Sequence, residues 1–324
     1  MTGEYATTLP PFARRPEDTG MAMPLTRFGL LVSNYSFGLS SEDMFARVGE
    51  VAQAVDESAF DSLWLADHLM QGAVGDIAAN EGTPERTRRG PAGRRTPMFD
   101  ALTLLGALAV VTTRVRIGPL VSPITYRSAS LFAKAMTTVD VISGGRAVVG
   151  LGAGWDSDEH LRFGLPFPAA GERVDRLLDA VHICRAMFDD QTASYDGKYH
   201  AIDEAINEPR PVSAHIPILI GGAGARTLRI AADHADACNP IGDAAELRAA
   251  FDAVDRRCAE TGRDPSEVSR TAGVMFHRVA DMPALVADAF AAGADGVTLV
   301  PWQLELSPAL VETISDRLNS EFGA

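Results

Sequence analysis

The sequence predicts an α/β fold, a closed (β/α)8 TIM barrel with insertion loops. Eight short apolar runs alternate with eight segments of helical periodicity, the pattern of parallel strands joined by crossover helices. The chain has 324 residues, 46% of them hydrophobic, enough for one large core, and eight strand–helix units in one domain favour closure over an open sheet. Polar residues and glycines recur where the strands should end: Asn34, Asp67-His68, residues 119–123, 152–155 and 221–224, and Asn239. In such barrels the working residues lie at the carboxyl ends of the strands.

Residues 1–24, rich in Pro, Thr and Gly, read as a flexible extension ahead of a single barrel domain over 25–324. Strand one is expected at 27–33. A helix capped by Ser41 follows, with Met44, Phe45, Val48, Val51, Ala52 and Val55 at helical spacing. Strand two, 63–66, ends in Asp67-His68. Residues 71–96 form a long loop with five arginines (Arg86, Arg88, Arg89, Arg94, Arg95), readable as a solvated segment or as an anion-binding lid. A strongly apolar helix spans 98–111, and strand three spans 115–118 and runs on to Pro123. Helix 128–142 and strand four, 146–150, come next, then a loop with one helical turn (155–171) and helix 173–188. Asp196-Gly197 marks a hairpin over 194–202 that decorates the barrel. Strands at 216–220, 235–239, 269–276 and 296–300 alternate with helices at 225–234, 244–261, 283–292 and 308–322.

A net charge of −14 argues against nucleic acid and against an anionic membrane surface as partners. No apolar run has the length of a membrane span. The N-terminus lacks a charged-then-apolar signal pattern, and Cys184, Cys238 and Cys258 are odd in number without metal-type spacing. Core thiols in a reducing cytoplasm are therefore expected.

Four places hold candidate chemistry. In Gly150-Leu151-Gly152-Ala153-Gly154-Trp155 a tryptophan stands where a dinucleotide fingerprint needs its last glycine, and no long helix follows directly, so a Rossmann site is excluded. These glycines either permit a tight turn or let something other than a side chain lie against the backbone. Trp155 either stacks on a ring system or caps the core. Histidine at position 68 is the type most easily tuned for proton transfer near neutral pH, and Asp67 beside it is a carboxylate able to hold its tautomer; the alternative is a histidine satisfied in the barrel wall. Residues Gly221, Gly222, Ala223 and Gly224 precede a helix, with Arg226 following. Free amides, the helix dipole and a cation favour a phosphate there over a bare turn. Asp156, Asp158, Glu159 and His160 resemble a metal cluster by composition, but their spacing sets no clear ligand group, so a capped, solvated helical turn and no metal are expected. His182, His234 and His277 read as structural.

Together these positions resemble the luciferase-like flavin and deazaflavin oxidoreductases, and within them the F420-dependent class. The resemblance runs from about Arg27 to Phe322 and is most specific in LWLADH (63–68), RIGPLVSPITYR (116–127), DVISGGRAVVGLGAGW (140–155), EPRPVSAHIPILIGGAG (208–224) and TLRIAADHADACN (227–239). It implies a tricyclic cofactor across the carboxyl mouth and a non-proline cis peptide after strand three, at Leu120–Val121. It places Gly152, Gly154 and Trp155 in the wall beside the cofactor, residues 221–224 at its phosphate, and His68 beside the reacting ring. Family members that oxidise sugar phosphates carry a catalytic Glu where this chain has Trp155, which departs from that substrate class. The implied activity is hydride transfer between coenzyme F420 and a small organic substrate. The alternatives are an FMN-dependent monooxygenase fed by a separate flavin reductase and a flavin-binding protein without catalysis. The resemblance also implies a homodimer.

Overall fold

The computed structural model describes residues 25–35, 37–70, 97–302 and 304–323, so the expected extension over 1–24 and the arginine-rich loop lie outside the described residues. The barrel begins with β1 (Phe28–Val32), α1 (Ser41–Asp56) and β2 (Ser62–Leu65). Then come α2 (Ala101–Val111), β3 (Arg116–Pro119), β4 (Ser122–Pro123), α3 (Ala129–Ser143) and β5 (Val149–Gly152). Helices α4 (Ser157–Arg162) and α5 (Ala170–Asp189) lead to an antiparallel hairpin, β6 (Ala193–Asp196) and β7 (Ala201–Ala205). The second half is β8 (Ile218–Gly221), α6 (Ala225–His234), β9 (Ala237–Asn239), α7 (Ala244–Thr261), β10 (Ser269–Phe276), α8 (Met282–Ala291), β11 (Gly296–Pro301) and α9 (Pro308–Phe322).

The parallel sheet runs β3-β2-β1-β11-β10-β9-β8-β5-β4. It closes where Ile117 pairs with Ala147 and exchanges backbone bonds with Arg146 and Val148, both 2.9 Å. Strands β3 and β4 are one stave interrupted by a cis bond at Leu120–Val121, the position that the family resemblance implies. With that stave counted once, the barrel has the eight expected strands. Side chains alternate across it as the strand period requires. Leu30, Leu63, Val149, Ile218 and Leu299 face the helix layer, while Leu31, Trp64, Val148, Leu219, Ala237 and Val300 fill the interior. The three cysteines are free and buried.

Several boundaries differ from expectation for local reasons. Helix α2 starts at Ala101 because the Asp100 side chain accepts from Thr103 N at 2.9 Å and caps it. The N-cap of α1 is Ser40, not Ser41. The hairpin runs on to Ala205.

The turn around the cis bond explains the glycines of β5. A Cβ at Gly150 would stand 1.9 Å from Pro119 O, one at Gly152 2.6 Å from Val121 Cγ2, and one at Gly221 2.8 Å from Val121 Cγ1. The chain itself occupies the space that these glycines leave. Gly150→Ala is therefore expected to cost about 2–3 kcal/mol. Gly49→Ala, inside α1 with open space at its Cβ, is expected to gain about 0.5–1 kcal/mol. Urea midpoints of the two variants against the parent check both.

Candidate active site

At the carboxyl end of the barrel one carboxylate gathers three segments. Glu159, on α4, is fully buried. Its Oε2 meets His68 Nδ1 at 2.9 Å and accepts the Tyr126 hydroxyl; its Oε1 accepts from Leu69 N at 2.8 Å and Met70 N at 3.0 Å. Helix α4 forms because Asp156 caps it, accepting from Asp158 N and Glu159 N. The His68 side chain is 30% exposed, its ring edge-on to Trp155 at 5.5 Å between centroids. Burial works against protonation of His68, but the hydrogen bond and charge of Glu159, with Asp156 and Asp67 behind, hold its pKa above the usual value. Burial likewise works to raise the Glu159 pKa, and the bonds from His68, Tyr126 and Met70 bring it below the usual value. Asp156, buried and facing Glu159, is raised.

His68, Asp156 and Glu159 offer ligand atoms within 4.8 Å of one another. The two oxygens of Glu159 are already contacted by His68, Tyr126, Leu69 and Met70. The expected capped turn is present, but Asp156, Glu159 and His160 are buried rather than solvated.

The carboxylate on His68 is thus Glu159 and not Asp67. Asp67 is buried and committed elsewhere: Arg127 holds it with Nη1 at 2.5 Å and Nη2 at 2.9 Å, and Ser122 Oγ donates to it at 2.5 Å. Arg127 also binds Asp100 at 2.7 Å. This clamp ties the end of β2 to β4 and to the start of α2.

The remaining candidates line the same end. Leu120 and Val121 are half-buried and, with Met98, Met275 and Trp302, pack on the inner apolar cluster. Gly152 faces Val121, and Gly154 has φ +78°, a conformation that favours glycine. Trp155 is 39% exposed. Behind Gly154, Arg173 donates to its carbonyl at 3.2 Å and lies over the Phe167 ring. Residues 222–226 are exposed at the start of α6, whose N-cap, Gly224, brings no capping side chain. Arg226 is turned away to Asp175 and to the Gly171 carbonyl, so its guanidinium is already paired.

The sequence profile of the luciferase-like monooxygenases matches residues 26–317. The chain belongs to this family. Among curated relatives, the F420-dependent glucose-6-phosphate dehydrogenase of Microbacterium testaceum is 33% identical over 212 residues, 65% of this chain. That match spans only about half, 55%, of the relative's length. Among solved structures, an F420-dependent secondary alcohol dehydrogenase bound to an F420-acetone adduct superposes with a TM-score of 0.69 at 17% identity, covering 85% of this chain and 92% of the other. The monooxygenase RslO1 of Streptomyces bottropensis gives 0.71 at 17% identity, covering 91% and 98%. At such identity these two likenesses speak for the fold alone.

The sequence does not single out Tyr126, and it places Glu159 in a solvated turn rather than beside His68. The signal for Glu159 was its place two residues into a helical turn just past the strand-end glycines. In the unfolded chain Glu titrates near 4.5 and His near 6.5. A His68 pKa raised by folding contributes stability that is complete below 6.5 and fades as pH rises through the folded value; a depressed Glu159 pKa contributes above 4.5 and is lost in acid. Glu159→Gln is therefore expected to lose roughly 2 kcal/mol, most between pH 4.5 and 6.5 and less on either side, as read by denaturant titration across pH.

Proposed function

We propose that this protein is an F420-dependent oxidoreductase that moves a hydride between the deazaflavin and a small, uncharged organic substrate. The His68–Glu159 pair at the carboxyl end of the barrel, with the His68 side chain 30% exposed, is the observation that carries the reading. When bound, F420 supplies the hydride chemistry, and the protein supplies orientation and electrostatics. The residues present fit such a group. Leu120, Val121, Gly152, Gly154 and Trp155 offer an apolar and backbone surface for a ring, and the amides of residues 223–225 at the start of α6 suit a phosphate, that of Gly222 being bonded to Asn239 O. His68 would sit beside the reacting atoms and exchange a proton with the substrate. The dehydrogenase relative acts, by its name, on a sugar phosphate; here an exposed indole adjoins His68, and Arg226 is paired with Asp175. Both features favour a neutral substrate such as a ketone, an enone, an imine or an alcohol.

Fluorescence titration with F420 and separately with FMN tests the cofactor. Tight F420 binding with weak FMN binding is expected, whereas the reverse would move the assignment to an FMN-dependent monooxygenase served by a flavin reductase. His68→Ala is expected to lower kcat/KM by 10²–10⁴-fold with F420 affinity little changed. Equal loss of affinity and turnover would assign His68 to binding instead.

A further inference from the structure

We propose that Glu159 is a positioning residue that keeps His68 in its imidazolium form, with Nε2–H left without a partner among the described residues, so that this chain runs its reaction as a reduction in which His68 delivers the proton. The proposal rests on the F420 reading above.

The argument is one of charge balance. Glu159 has no exposed surface, and a buried carboxylate needs compensation. Three of its four donors, the Tyr126 hydroxyl and the amides of Leu69 and Met70, are neutral. Among the described residues His68 is the one bonded group that can bring a positive charge. Nothing else around the imidazole supplies one among the described residues. From α4 and its cap it faces Glu159 and Asp156, both carboxylates. From the end of β2 it has Asp67, whose charge is met by Arg127, itself shared with Asp100. From the segment before α3 it has Tyr126, and beside it stands the uncharged Trp155. His160 is turned away, to Thr125 Oγ1 and the Asp156 carbonyl. The surroundings thus favour the cation, and they fix the tautomer as well. Nδ1 is committed to Glu159, which leaves Nε2 without a partner among the described residues.

The chemistry follows from that state. In the reduction of a polarised double bond, reduced F420, when bound, would supply the hydride, and with it two electrons, to one atom of the bond. The π pair moves to the other atom, usually oxygen. The His68 Nε2–H bond breaks and its proton goes to that atom, so the product leaves neutral. The imidazole, partly exposed, regains a proton from solvent. Oxidation of an alcohol asks the reverse, a neutral imidazole that accepts a proton, and that form is populated only above the His68 pKa, which the Glu159 carboxylate raises.

The decisive readout needs no bound cofactor. Titration of the His68 ring nitrogens by NMR, assigned by difference with His68→Ala, should find the imidazolium persisting above the ordinary 6.5. Glu159→Gln should bring the titration down by a pH unit or more. Tyr126→Phe removes a donor from the same carboxylate and should leave the titration in place or move it up, so the two variants separate loss of charge from loss of packing. A His68 that titrates at or below 6.5 in the parent protein, or that ignores Glu159→Gln, overturns the proposal. With F420, the parent should reduce a ketone or enone faster below the His68 pKa than above it, and Glu159→Gln should move that limb to lower pH by the NMR shift with the F420 KM unchanged. A high His68 titration in a protein that binds no F420 overturns the cofactor reading and the reductive assignment while supporting the role of Glu159.

Discussion

Three neighbouring staves of the barrel meet where the backbone of residues 119–121 crosses their inner surface, and a Cβ at Gly150 cannot coexist with that crossing. Pro119 O takes the volume at position 150, and the Val121 side chain takes the volume at 152 and 221. The constraint acts before any ligand does. It lets β3 stop pairing with β2 at Pro119 and resume as β4 against β5, so that Leu65 O still receives Leu120 N and Gly152 O still receives Ile124 N. The barrel remains closed through the kink, and Leu120 and Val121 are carried to its open end. Glycine serves here through close approach of chain to chain, the use that strand glycines commonly have.

What hangs from this kink is a rim held by charged side chains. Arg127 draws Asp67 and Asp100 together, linking β2, α2 and the segment before α3. Glu159 draws His68, Met70 and Tyr126 together, linking the same strand end to α4. Arg173 anchors the Gly154 turn from α5. Each strut spans loops that follow different strands, so the geometry at the mouth is a property of the whole set. Loops positioned this way by a rigid scaffold are where barrels keep their chemistry.

The strand order, the helix count and the end of the barrel that carries the site were legible because each leaves a periodic trace: alternating apolar runs, helical spacing, and polar residues where a strand must stop. The pairing of His68 was not legible. Its carboxylate lies 91 positions away, on a six-residue helix too short for periodicity to show, while an aspartate stood next to it in sequence. Adjacent side chains at a strand end diverge, so proximity along the chain pointed to the wrong partner. The glycines of β5 were visible but ambiguous, since a sequence shows that a side chain is excluded without showing what excludes it. Arg226 was visible too, yet its commitment to Asp175 depends on how α5 and α6 lie together, which no local pattern encodes.

The two ends of the barrel show how one buried charge can be structural and another chemical. At the base, Arg146 is buried and directs all five guanidinium hydrogens to acceptors: Ser143 O, Thr112 Oγ1, Val115 O, Ala109 O and Thr112 O. Those carbonyls terminate α2 and α3 or flank β3, so the charge completes helix ends and has no capacity left over. At the mouth, Glu159 is as fully satisfied, but one of its four donors is an imidazole whose second nitrogen has no partner among the described residues. Saturation of the carboxylate therefore does not close the network; it passes the charge on to a group whose side chain is 30% exposed. A buried ion whose partners are all exhausted can only hold the fold, whereas one whose partner retains an open valence can also exchange a proton. By that criterion the Glu159–His68 pair is the one to which the proposed proton exchange is assigned, since the charges of Asp67 and Arg146 are met by partners within the fold.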